Sequence, residues 1–138
     1  VPTIGAPIQE PASAVEPNQS VTVSVEVTDA GVGVREVVLF YSTNSGQSWT
    51  DVTMTGVSGN VYSAEIPGFA AETNVCYTIV AYDNADNSAT KDNAGNYYIY
   101  TVIPEFQFLI LAFIVSTLLA VALTKISCIG GKTKQQTN

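Results

Sequence analysis

The chain has 138 residues, with five lysines and arginines against twelve aspartates and glutamates, a formal net charge of −7, and no histidine. Residues 1–105 hold all twelve carboxylates against Arg35 and Lys91 alone, a block of −10; residues 106–124 carry no charge, and residues 125–138 carry three lysines and no acid. That distribution is not that of a wholly soluble protein and lacks the basic face a nucleic-acid binder needs, so no nucleic-acid partner is expected. Without histidine, a Ser-His-Asp triad, a His-paired cysteine and His-ligated zinc are all excluded within the chain.

Four of the six prolines (Pro2, Pro7, Pro11 and Pro17) fall in the first 17 residues. Proline fixes φ and offers no N–H to a ladder, so residues 1–19 are expected to be a proline-rich linker merging into a first edge strand. In residues 21–28, Val21, Val23, Val25 and Val27 alternate with Thr22, Ser24, Glu26 and Thr28. Strict period-2 alternation of β-branched residues predicts a strand with one buried and one wet face. Residues 35–43 predict a second strand with Val37, Leu39 and Tyr41 inward, followed by an Asn44-Ser45-Gly46 turn in which Gly46 can take φ > 0. Further strands are expected over 49–55, 61–66, 75–82 and 97–102, with turns at 56–60 and Pro67-Gly68. Tyr62, Ala64 and Ile66 share a face, as do Val75, Tyr77, Ile79 and Ala81, and Trp49 with the inward tyrosines is expected to supply the bulk of the core. No stretch before residue 106 carries a 3.6 period. Six clear strands and the proline-bearing one predict an all-β class: a seven-stranded antiparallel immunoglobulin-like or fibronectin-III-like sandwich over residues 20–103.

The uncharged run Phe106–Thr124 is 19 residues long. About 20 apolar helical residues cross the ~30 Å hydrocarbon core, so a single transmembrane helix is expected here, with the lipid bilayer as partner of residues 106–124. Lys125, Lys132 and Lys134 follow it and the acidic block precedes it. The positive-inside rule then predicts a single-pass protein of the cell membrane, with the N-terminal domain outside at the cell surface and residues 125–138 a basic cytoplasmic tail. The chain starts at Val1 with no N-terminal targeting segment, which predicts the C-terminal piece of a longer precursor with upstream domains.

In their order, the motifs V-x-V-x-V-x-V-T-D (21–29), V-V-L-F-Y-S-T-N-S-G-Q-S-W-T (37–50), A-E-I-P-G (64–68), Y-T-I-V-A-Y-D-N (77–84) and D-N-A-G-N-Y-Y-I-Y (92–100) resemble the membrane-proximal immunoglobulin-like domain of archaeal cell-surface proteins. The I-P-E-F ending (103–106), with the apolar run and lysines behind it, resembles the PEF-CTERM type of archaeal sorting signal. That resemblance implies that Pro104, Glu105 and Phe106 mark a motif near which an archaeosortase-like transpeptidase cuts, exchanging the helix for a lipid anchor. Residues 104–124 would then combine motif and transmembrane helix. The three lysines are spread over ten positions instead of forming a compact cluster, so a permanently retained span is the other expectation. Read without the resemblance, Pro104 is a stop between strand and helix and Glu105 a helix-start carboxylate favoured by the dipole.

Candidate sites are few. Asp83–Asn87 and Asp92–Asn96 are near-copies nine residues apart. Asp83, Asp86 and Asp92 could offer oxygens to Ca²⁺, which takes about six to eight of them; Asx residues equally serve as turn formers. Trp49 and the tyrosines at 41, 62, 77, 82, 97, 98 and 100 could make a sugar-stacking platform, but most are in phase with the inward faces, which favours core packing. Tyr97, Tyr98 and Tyr100 stand just ahead of the apolar run, where amphipathic rings suit a membrane interface. Cys76, the one cysteine of the outer block, is expected to be a small buried hydrophobe, with an intermolecular disulfide as the alternative; Cys128 behind the span is a candidate for acylation. Asn18-Gln19-Ser20 is the sole N-glycosylation sequon. A carboxylate pair for glycoside hydrolysis is allowed in principle, but no nucleophile motif or phosphate loop is present, so no enzyme activity and no cofactor are expected. The expected role is a spacer holding upstream domains off the membrane; the alternative is a module binding a surface glycan or protein.

Overall fold

The valine alternation of residues 21–28 organises the fold. In the computed structural model, which describes residues 1–104, all four of these valines are buried while Thr22 and Glu26 face water. The apolar run 106–124, the tail 125–138 with Cys128, and Glu105 and Phe106 of the Pro-Glu-Phe motif lie outside the described residues.

Ten strands form: β1 (Thr3–Ile4), β2 (Ile8–Glu10), β3 (Val21–Thr28), β4 (Val34–Ser42), β5 (Thr50–Thr53), β6 (Thr55–Ser58), β7 (Val61–Ile66), β8 (Asn74–Asp83), β9 (Ser88–Lys91) and β10 (Tyr98–Thr101). All pair antiparallel, in two sheets: β1-β3-β7-β6 with β2 also on β3, and β10-β8-β4-β5 with β9 also on β8. The described residues are all-β; no helix among them is long and apolar enough to cross a membrane. β1 and β2 are one edge line broken around Pro7; across the break the Gly5 amide donates to the Glu26 carbonyl at 2.9 Å.

The core lies between the sheets. Val21, Val23, Val25 and Val27 of β3 and Ile66 of β7 belong to one buried cluster with Val37 and Leu39 of β4 and Val75, Tyr77, Ile79 and Ala81 of β8. Fully burying each aliphatic side chain contributes about 1.5–3 kcal/mol, which is why the alternation decides which face of each strand turns inward.

Ten strands stand where seven were expected: the first edge strand is divided into β1 and β2, residues 50–58 form β5 and β6, and β9 forms where no strand was expected. The strand expected over 49–55 is split at Met54, which is 4 % exposed and whose amide donates to the Val37 carbonyl at 2.8 Å; β5 stays in the second sheet and β6 joins the first. The turn expected over 56–60 is therefore mostly strand, with the reversal confined to Gly59 (φ 55°) and Asn60. Every residue of β6 is exposed, and an edge strand with no buried face carries no alternation to read.

The two ends of the described chain lie at opposite poles. Val1 contacts Asp29, just past β3, and Asp83, the last residue of β8. Val102 exchanges backbone hydrogen bonds with Thr73 (2.9 Å) and Glu72 (3.0 Å), just ahead of β8, and the Ile103 amide donates to the Val15 carbonyl at 2.8 Å. The ten residues of β8 separate these poles, about 33 Å at roughly 3.3 Å per residue.

Candidate functional site

The last strand line is interrupted. Lys91 of β9 pairs with Ile79, and Tyr98 of β10 pairs with Tyr77, so one residue opposite Thr78 would complete the ladder. Six stand there, Asp92 to Tyr97, looped out of the sheet. An insertion of this kind re-aims side chains. The Tyr97 amide donates to the Asp92 carbonyl at 2.7 Å, the Asn93 side-chain amide donates to the Tyr97 carbonyl at 3.1 Å, and the Gly95 amide donates to Asp92 Oδ1 at 3.1 Å. Tyr97 itself sits at φ 60°, a left-handed conformation that a bulky L residue rarely adopts.

Tyr97 thereby meets Trp49, edge to face, with ring centroids 5.0 Å apart. Trp49 leaves the Asn44-Ser45-Gly46 turn, where Gly46 takes φ 80° as expected. A Cβ on Gly46 would stand only 3.3 Å from Trp49 Cζ2, so the glycine also makes room for the indole. The turn is rigid: Ser42 Oγ accepts the Gly46 amide at 2.9 Å, and Asn44 Oδ1 accepts the Ser48 amide at 2.9 Å. Trp49 is thus half-buried outside the core, which corrects its assignment as core bulk. It follows the turn and precedes β5, beyond the reach of the strand phase that sends Leu39 inward.

Phe40, Trp49, Thr78, Thr90, Asp92 and Tyr97 line an open groove of about 370 Å³ on the outer face of the second sheet. Tyr97 (38 % exposed) also borders a smaller depression of about 170 Å³, as does Ile99 (64 % exposed). Phe40, Thr78 and Thr90 did not emerge as site residues from the sequence. The available signal was Val38 and Phe40, apolar residues in the wet phase of β4.

The three carboxylates named for Ca²⁺ do different work, and among the described residues no group of three or more acidic, thiol or imidazole side chains gathers. Asp83 is buried and braces its own hairpin: Oδ1 accepts the Ala85 (2.8 Å) and Asn87 (2.9 Å) amides, and Oδ2 accepts the Asn87 side-chain amide at 2.8 Å. Those bonds, the Asn87 side chain first, outweigh burial and bring Asp83 down to about 2. Asp86 is exposed and pairs with Arg35, whose guanidinium also lies 5.7 Å from the centroid of the Tyr82 ring. Asp92 belongs to the groove. An acidic residue outside that set, Asp29, lies with Asp83 beside the Val1 nitrogen, which is 3.1 Å from Asp29 Oδ2 and 3.4 Å from Asp83 Oδ2; both side chains are 1 % exposed. Asp29 was legible only as the Asx residue closing a strand, and it does accept the Gly31 (2.9 Å) and Gly33 (3.1 Å) amides.

Tyr41, Tyr62, Tyr77, Tyr98 and Tyr100 lie in or against the core, as their phase predicts. Burial first, then the neighbouring Tyr98, pushes the Tyr77 hydroxyl up to about 12. Cys76 is a buried free thiol, 8 % exposed, with Sγ 3.7 Å from the Ser42 carbonyl. Asn18 of the sequon is exposed ahead of β3, and Pro104 ends the described chain. No protein-family model matches the chain, and no curated protein matches it.

Proposed function

We propose that residues 1–103 are a non-catalytic, extracellular spacer of a membrane-anchored cell-surface protein, an immunoglobulin-like or fibronectin-III-like module that holds upstream domains off the bilayer. The observation that carries this reading is the position of Val1 and Pro104 at opposite poles of the two-sheet fold. A module whose chain comes in at one pole and leaves at the other adds its length to whatever precedes it. A module with adjacent ends adds none. The residues 106–124 would anchor it, with 125–138 in the cytoplasm. The net −10 of the outer block keeps it soluble and unattracted to an anionic surface. The role needs no cofactor.

The test is height above a membrane. With a fluorophore attached ahead of Val1 and acceptor lipids in reconstituted vesicles, the spacer reading expects a separation of about one strand length, roughly 33 Å. A fluorophore at the headgroups would refute it. Intact mass of the protein from its native membrane separates the two anchors: retention of Asn138 means a permanent helix, and loss of the segment behind Phe106 with an added lipid mass means archaeosortase-like processing. The outward Trp49–Tyr97 pair favours a second reading, a module that binds a surface glycan or protein.

A further inference from the structure

We infer that the groove between Phe40, Trp49 and Tyr97 is a binding site for a neutral glycan, with a pyranose ring against the aromatic side chains and its hydroxyls on Asp92, Thr78 and Thr90. The inference rests on the binding reading above and is independent of the spacer reading.

The backbone supplies the first argument. Asn93, Ala94 and Tyr97 all take positive φ (53°, 57° and 60°) in the segment that builds the groove wall. Left-handed conformation costs about 1–2 kcal/mol at Ala94 and at Tyr97, while Asn93 tolerates it. The loop is held by its own hydrogen bonds, and neither Tyr97 nor Trp49 belongs to the core cluster. Six residues spent where one would close the ladder, at local strain, produce a ring pair on an outer face; such strain is stored where a site uses it.

The chemistry of the lining supplies the second. A pyranose has an apolar C–H face and a rim of hydroxyls, and it needs aromatic π faces together with directional polar groups. The negative π faces of Phe40, Trp49 and Tyr97 attract polarised C–H groups. Thr78 Oγ1 donates to the Lys91 carbonyl at 3.0 Å, which orients its lone pairs as acceptors. Thr90 is exposed, and Asp92 uses Oδ1 for the Gly95 amide, with no donor to Oδ2 among the described residues. At about 370 Å³ the groove falls within the ~300–1,000 Å³ of ligand sites.

Charge and shape select within that class. Asp92 is the one charged lining residue and it belongs to a block of −10, so sialylated, sulfated or phosphorylated ligands are repelled. A compact cation needs rings closed around it. Trp49 and Tyr97 instead touch each other edge to face at 5.0 Å and leave an open groove along which a pyranose chair can lie.

Trp49 is the only tryptophan in the chain, so its emission reads the groove directly. The full chain, in a detergent without a sugar headgroup, is titrated with maltose, cellobiose and N,N′-diacetylchitobiose, and in parallel with sialyllactose and tetramethylammonium. The expected result is a saturable shift of Trp49 emission with at least one neutral disaccharide. Tyr97→Ala and Thr90→Lys are each expected to weaken it about tenfold, equivalent to about 1.4 kcal/mol. Thr90→Lys changes an exposed position, so it keeps the test decisive if Tyr97→Ala fails to fold. No shift with any neutral sugar overturns the proposal, as does full affinity in Thr90→Lys or equal binding of sialyllactose. A shift with tetramethylammonium alone also overturns it, while leaving the groove a binding site and the broader reading intact.

Discussion

Replacing Gly68 by alanine should damage this fold far more than the same change at Gly56. Gly68 follows β7 and passes directly over the backbone of Asn18: an added Cβ would stand 2.7 Å from Asn18 Cα and closer still to its carbonyl carbon and oxygen. The two segments are pinned there by the Asn18 amide donating to the Phe69 carbonyl at 2.8 Å. No rotamer change relieves a methyl-to-backbone clash, so the segments must separate and that hydrogen bond must stretch. Overpacking costs about 1–3 kcal/mol, and a backbone clash belongs at the upper end. The stiffer unfolded chain returns about 0.4–1 kcal/mol, leaving a net loss of about 2 kcal/mol. For a domain of this size that lowers the melting temperature by roughly 8–16 °C. At Gly56 the new Cβ meets only Tyr62 Cε1, at an ordinary 3.9 Å, so the change should stay within about 0.5 kcal/mol. Both variants are melted as the full chain, followed by Trp49 fluorescence and far-UV circular dichroism. Equal melting temperatures for Gly68→Ala and Gly56→Ala would refute the close approach of the 67–69 and 17–19 segments.

Acid should destabilise the fold in a defined window. Asp83, held at about 2 by its bonds to Asn87 and Ala85, titrates below its unfolded value, so its contribution is complete above about pH 4 and is lost as pH falls toward about 2. A stability curve flat across that window would contradict the bonds from the Ala85 and Asn87 amides to Asp83. Leu39→Ala, at a position 0 % exposed between the sheets, should cost about 2–5 kcal/mol, read as a lower urea midpoint at unchanged slope; a loss under about 1 kcal/mol would mean that the sheets do not close on it. In a Cys128→Ser background, Cys76 should react with a thiol reagent only in denaturant, because it is 8 % exposed; rapid labelling of the folded chain would place it at the surface.

Much of the framework was legible because strand phase is a local property. The alternation at Val21–Val27, and the phases of Val37 and Leu39 and of Val75 to Ala81, each named the face that is buried. The Asn44-Ser45-Gly46 turn was readable for the same reason, since Gly46 supplies the positive φ at its own position. β6 and β9 were not legible: the first is exposed throughout and the second is a four-residue edge segment inside an Asx-rich stretch, so neither carries a buried period. Of the two readings given for Asp83, its hydrogen bonds are those of the turn former, to the amides of its own hairpin, and Asp86 turns instead to Arg35.

The sequence by itself determined an all-β block, the inward face of its principal strands, and the segregation of charge around residues 106–124. These follow from neighbours along the chain, where period and composition act directly. Only the tertiary structure decided that Trp49 leaves the core, that Met54 carries the chain from one sheet to the other, and that the looped-out Asp92–Tyr97 segment lays a tyrosine against that tryptophan. Residues so far apart in the chain meet through strand pairing and register, and register is set by the packing of both sheets together rather than by any one segment.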